Sequence, residues 1–162
     1  MKKIGIIMGS DSDLPVIKKS TAVLDELGIP YTVHIYSAHR TPEQARTFAI
    51  DARKNGYAAI ICAAGMAAHL AGAIAANTTL PVIGIPCASQ YIDGMDALLS
   101  TVQMPTGIPV ATVAINGGGN AALLAAQIIA TEDVELAKKL NDKRVKDAEA
   151  VLKKDAEIMS KL

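Results

Sequence analysis

Tryptophan is absent from this chain, phenylalanine occurs once and tyrosine four times. Such a chain offers few flat platforms on which nucleic-acid bases could stack. An excess of either charge is also missing: 16 lysines and arginines balance 16 aspartates and glutamates in 162 residues. Neither a nucleic-acid backbone nor an anionic membrane surface is an expected partner. Cysteine is scarce, and Cys62 and Cys87 form no CxxC pair. Two such thiols point to a reduced, cytoplasmic protein with both side chains buried as small hydrophobes. No cluster of histidine, cysteine and carboxylate has metal-ligand spacing. A Walker loop and a GxSxG elbow are absent as well, which excludes the commonest phosphate-loop and serine-hydrolase chemistries.

Charge is missing locally too. Between Asn55 and Thr131 there is no lysine or arginine, and the only acids are Asp93 and Asp96. A small monomer has to solvate its surface, and this stretch has little with which to do so. Burial against further copies of the same chain is the expected solution, in a symmetric homo-oligomer. Long apolar runs are few. "YAAIICAAGMAAHLAGAIAA" (57–76) is long enough to cross a bilayer. Its alanine and glycine content, the break at Gly65 and the presence of His69 predict instead a strand, a turn and a buried helix. The apolar run near Lys2 and Lys3 stops too soon, at "GSDSD", to form a signal-peptide core.

What is present is a regular alternation. Apolar runs at 3–9, 31–37, 58–64, 81–87 and 109–115 read as strands. Between and after them, 13–28, 41–56, 67–77, 94–103 and 120–131 read as helices. Asp13 and Thr41 are expected N-caps, with Pro15 and Pro42 in the first turns and Gly28 and Gly56 at the ends. Residues 132–162 carry eight acids and eight bases at helical spacing, a solvated C-terminal helix with a docking stripe. Near-continuous apolar strands alternating with helices predict an α/β three-layer sandwich. Its five-stranded parallel sheet takes the flavodoxin-like order 2-1-3-4-5, in a single domain over 1–162.

In such a sheet, ligands bind beyond the carboxyl ends of the strands. Three polar segments fall there. "GSDSD" (9–13) offers two hydroxyls and a helix N-terminus for a phosphate, and acids for sugar hydroxyls. "SAHRTP" (37–42) sets Arg40 against a helix dipole, which makes sense if an anion lies between them. Beside Arg40 stands His39, and histidine is the side chain best suited to carrying protons near neutral pH. "GMAAHL" (65–70) surrounds His69 with small residues that leave a dry floor. His34, inside a strand, reads as structural.

Taken together, "MGSDSD", "SAHRTP", "AAHLAG", "DALLSTVQMPTGIPVATVAI" and "NAALLAAQI" resemble the class I N5-carboxyaminoimidazole ribonucleotide mutase family of purine biosynthesis. The likeness runs from about residue 4 to residue 131. It implies a flavodoxin-like fold, an octamer with active sites at subunit boundaries, and transfer of a carboxylate from the exocyclic nitrogen to carbon 4 of the imidazole. Neither metal, ATP nor biotin takes part. It further implies that Ser10, Asp13, Ser37 and Arg40 bind the ribonucleotide and that His39 is the general acid and base. Gly65, Ala68, His69 and Leu70 line the carboxylate site. Ala63 and Met66 stand where that family usually carries glycine, and Ala71 where it carries proline. A sister class carboxylates aminoimidazole ribonucleotide directly; it tends to have lysine at the position of Arg40 and to lack the second histidine. Arg40 and His69 therefore favour the mutase. A binding module without chemistry is the reading from another class. It would need the "GSDSD" turn and Arg40 and leave His39 idle.

Overall fold

A computed structural model of the chain describes residues 2–67 and 69–162. Each expected strand begins where β-rich sequence follows a turn: β1 (Lys3–Met8), β2 (Tyr31–Ile35), β3 (Tyr57–Gly65), β4 (Val82–Cys87) and β5 (Ala111–Thr112). The helices are α1 (Leu14–Leu27), α2 (Pro42–Asp51), α3 (Leu70–Ala75), α4 (Met95–Val102), α5 (Gly118–Ala130) and α6 (Val134–Ile158). The sheet is parallel throughout, in the order β2-β1-β3-β4-β5.

Side chains alternate across it. Ile4, Ile6, Met8, Ala59, Ile61, Ala63, Ile83 and Ile85 pack under α1, α5 and the start of α6. Ile7, Ile60, Cys62 and Val82 pack under α2 and α3. This double burial explains why the central strands read as unbroken apolar runs rather than as alternating ones. Register brings the carboxyl ends level: Met8 pairs with Ile35 and with Ala63, and Gly65 pairs with Cys87.

Three expectations need correction. β5 is two residues long, not seven. Pro109 gives it no ladder donor at its start, and beyond Thr112 only Val113 and Asn116 still donate to β4, at the carbonyls of Gly84 (3.0 Å) and Pro86 (2.8 Å). α2 stops at Asp51, and residues 52–56 turn back through bonds such as Gly56 N–H to Arg53 O. Neither Asp13 nor Thr41 caps its helix with its side chain; both side chains are engaged in the loops described below.

α5 lies against α1 so closely that a Cβ at Gly118 would collide with the carbonyl of Val16. The buried Ser20 hydroxyl donates to Gly118 O at 2.8 Å across the same contact. α6 is capped by Asp133, whose carboxylate accepts from Leu136 N–H at 2.9 Å. Leu136 is buried, but every described residue from Arg144 onward is exposed. No helix of the described residues is long and apolar enough to cross a membrane.

Candidate active site

The first wall of the site is the turn between β1 and α1. Gly9 N–H donates to Ala63 O at 3.0 Å, tying the turn to β3. Residues 11–13 form one 3-10 turn closed by a reciprocal capping box. Ser10 Oγ accepts from Ser12 N–H at 3.3 Å, and Asp13 Oδ2 accepts from Ser10 N–H at 3.2 Å. The carboxylate that the sequence offers as a helix cap thus folds back to fix the loop instead.

Asp13 is only 7% exposed. Burial raises its pKa from the ordinary 3.8, against the opposing pull of the Ser10 N–H and of a hydrogen bond from the Cys87 thiol. The same burial, together with the Asp13 charge, pushes Cys87 up to about 12. Neither that thiol nor the wholly buried Cys62, also raised by desolvation, is set up as a nucleophile.

Asp13 has a consequence for stability. Its folded-state pKa lies above the unfolded one, so the folded protein holds this proton more tightly. Its contribution to stability therefore falls as pH rises from about 3.8 through the raised value, and stays flat above it. Relative to the parent protein, an Asp13→Asn variant should gain stability between pH 3.5 and pH 7 in urea melts. A relative loss over that interval would contradict the assignment.

The second wall follows β2. Ser37 Oγ accepts from the backbone N–H of His39 (3.3 Å) and of Arg40 (3.1 Å). Thr41 Oγ1 accepts from Ser37 N–H at 2.8 Å and lies 3.2 Å from Ser37 O, as its donor. These short loops within the segment hold residues 37–41 in one turn and explain why Thr41 is not free to cap α2. Arg40 Nη2 donates to Gly9 O at 3.0 Å, which joins the second wall to the first. One guanidinium donor is so used, and the others remain for an anion.

The third wall follows β3. Gly65 passes the end of β4 so closely that a Cβ there would lie 3.2 Å from Cys87 O. Met66 then adopts φ 59°, the left-handed region, which costs a non-glycine residue roughly 1–2 kcal/mol. His69 Nδ1 lies 3.2 Å from Ser100 O. A carbonyl can only accept, so Nδ1 carries the hydrogen and Nε2 is the atom left for a ligand. The imidazole packs over Gly72, where any side chain would strike the ring.

These walls enclose one cavity of about 530 Å³. Ser10, Asp13, Ser37, His39, Arg40, Gly65, His69 and Leu70 all line it. Ala68 lies outside the described residues. Ser12 and Met66, from two of the loops expected here, line it too, as do Ala88 and Ser89, which the sequence reading did not assign to the site. Ala88 and Ser89 follow β4, so the strand-end rule that found the other loops also covers them. Asn116 was overlooked as well. At φ 57° its Oδ1 accepts from Ala88 N–H at 3.0 Å and pins that stretch in place. The cavity is polar along Ser10, Asp13, His39 and Arg40. It is apolar along Ala38, Ala64, Ala67 and Leu70. Such a division suits a ligand with a charged end and a flat, weakly polar end. Among the described residues, no group of three or more His, Cys, Asp or Glu could hold a metal ion.

Residues 3–150 match the AIR carboxylase family. The chain is 56% identical over 137 residues to the N5-carboxyaminoimidazole ribonucleotide mutase of Pyrococcus horikoshii, covering 85% of this chain and 77% of that protein. Against the N5-carboxyaminoimidazole ribonucleotide mutase of Bacillus subtilis, identity is 49% over 158 residues, 96% of this chain and 98% of that one. The crystal structure of Treponema denticola PurE superimposes with a TM-score of 0.87 at 30% identity, over 95% of this chain and 96% of that chain.

Proposed function

Because the chain belongs to the AIR carboxylase family, we propose that it is an isomerase converting N5-carboxyaminoimidazole ribonucleotide into 4-carboxy-5-aminoimidazole ribonucleotide, as its mutase relatives are named for doing. The observation that carries the assignment of roles is the single cavity in which the 9–13 turn, His39, Arg40 and an alanine floor meet.

The phosphate of the ribonucleotide lies between the 9–13 turn and the free donors of Arg40. Ser10 Oγ, which donates to Asp11 Oδ1 at 3.1 Å in this structure, gives up that bond and donates to the phosphate. Asp13, buried and short of solvent, accepts from the ribose hydroxyls. Ser37 acts indirectly: its hydroxyl oxygen holds His39 and Arg40 at the correct turn. The aminoimidazole lies over the apolar side, with its carboxylate toward Gly65, His69 and Leu70.

Chemistry then needs one proton carrier and a dry floor. The N–C bond of the carbamate breaks, its electron pair stays on nitrogen, and His39 gives that nitrogen a proton. Carbon dioxide is left beside an electron-rich ring. Carbon 4 attacks it, and His39 takes the ring proton, returning to its starting state. Exclusion of water keeps the neutral gas in reach of carbon 4.

The enzyme works as a cytoplasmic single domain within an assembly of like chains, eight as the sequence resemblance implies. The stretch poor in charge and the unpacked α6 support this. The test of function supplies N5-carboxyaminoimidazole ribonucleotide, aminoimidazole ribonucleotide, and the N5-carboxyamino nucleoside without its phosphate. Each is offered with and without bicarbonate and with no ATP. Consumption of the first alone, independent of bicarbonate, is expected. Consumption of aminoimidazole ribonucleotide only with bicarbonate would make the chain a direct carboxylase.

A further inference from the structure

One histidine of the site is clamped by the fold itself. His69 is exposed and lines the cavity, and an exposed side chain is ordinarily free among its rotamers. This one is held twice. Its Nδ1 lies 3.2 Å from Ser100 O, near the end of α4. That oxygen is one of the carbonyls that a helix end leaves without an intrahelical donor. Met104 N–H, which a longer helix would bring to it, donates to Val102 O at 3.0 Å instead. The ring also rests on Gly72. A Cβ built there would have Cε1, Nε2 and Nδ1 of His69 as its nearest neighbours outside the helix backbone, the two nitrogens at 2.6 and 2.9 Å. On local grounds glycine is the poorer choice for this position. It stands third in α3, it is not among the glycines with positive φ, and alanine would favour the helix more. Alanine is what the chain uses around it, at Ala71, Ala73, Ala75 and Ala76. A break in local preference with no conformational need for it marks a place where space is required.

We propose that Gly72 is a positioning residue of the reaction: the space it leaves lets the His69 ring sit against Ser100 O, so that Nε2 is presented to the end of the cavity that takes the migrating carboxylate. The inference rests on the mutase reading above, in which Gly65 and Leu70 complete that end. A methyl group at position 72 would drive the ring off the Ser100 carbonyl and carry Nε2 away from the carbon that carbon 4 attacks. Misplacing such a group by about 1 Å can cost roughly a hundredfold in rate. The phosphoribosyl contacts of Ser10, Asp13 and Arg40 belong to the other two walls and would be untouched.

The experiment is a double-mutant cycle on the conversion of N5-carboxyaminoimidazole ribonucleotide. It compares the parent, Gly72→Ala, His69→Ala and the double variant, with a thermal melt of each. Gly72→Ala should lower kcat about tenfold to a hundredfold with KM within about threefold. His69→Ala should lower kcat at least as far. Adding Gly72→Ala to His69→Ala should then change kcat by less than about twofold, since the methyl group no longer meets a ring. An equal fall in both backgrounds makes Gly72 a packing residue and overturns the inference. Parent-like turnover in Gly72→Ala overturns it too, as does parent-like turnover in His69→Ala, where there would be nothing to position. All three results leave the mutase reading standing. If Gly72→Ala does not fold, the double variant should. Its failure to fold as well would show that more than the ring excludes the methyl group, and the inference falls. A parent that forms no carboxylated isomer overturns the mutase reading, and the inference with it.

Discussion

Turnover should fall by about two to four powers of ten when His39 is replaced by asparagine, while ribonucleotide binding persists. Asparagine keeps a polar, planar side chain of similar size but cannot take up and return a proton. The backbone N–H of residue 39 would still donate to Ser37 Oγ, so the turn and the Arg40 contact to Gly9 should survive. The damage is then confined to the two proton transfers. Titration calorimetry with the product ribonucleotide separates this from a general loss of the site: affinity should change by no more than about threefold, as for a group outside the phosphate anchor. Unchanged turnover would remove His39 from the mechanism. Equal collapse of binding and turnover would make it a structural element of the loop.

The second large effect concerns assembly. Introducing a charge at Leu152, as Leu152→Glu, should convert a species many times 16.9 kDa into one much smaller. Leu152 is 68% exposed on α6 and lies seven residues from each of two other exposed apolar side chains, Val145 and Met159. Val145 and Leu152 share one face of the helix, and Met159 extends that seam in the 3-10 turn that follows. Every residue of α6 from Arg144 onward is exposed, and another copy of the chain is expected to cover this seam. α4 carries a matching strip, since Met95, Leu99 and Val102 are exposed at helical spacing, with Tyr91 and Ile92 just before them. Analytical ultracentrifugation of both proteins checks the expectation. A parent protein that runs as a monomer would contradict it outright.

Much of this architecture could be read from the residues. The strands were legible because apolar side chains on both faces left no alternation to misread, and the sheet order followed from five strand–helix units. Ser10, Asp13, His39, Arg40 and His69 could be located because each follows a strand at its carboxyl end. What could not be read was where individual polar atoms are spent. Asp13 and Thr41 have the sequence position of helix caps, yet nearby backbone N–H groups of the loops take their oxygens first. Ser37 lines the cavity, and its hydroxyl oxygen also clips the loop by accepting from two backbone N–H groups, which no string of letters shows. The shortness of β5 was hidden because "PVATVAI" has strand composition throughout, while its loss of pairing is decided by Pro109 and by the edge of the sheet. Asn116 escaped notice since its value lies in a left-handed backbone and a bond to Ala88, neither visible in a string of letters.

The contact between α1 and α5 leaves no space for even a methyl group at Gly118, and a buried hydroxyl bond crosses it. The turn proposed to hold the phosphate stands at the head of α1, so that contact braces its backbone before any ligand arrives. A phosphate bound there would find the backbone of the turn already ordered by folding, so less ordering entropy would be subtracted from its affinity.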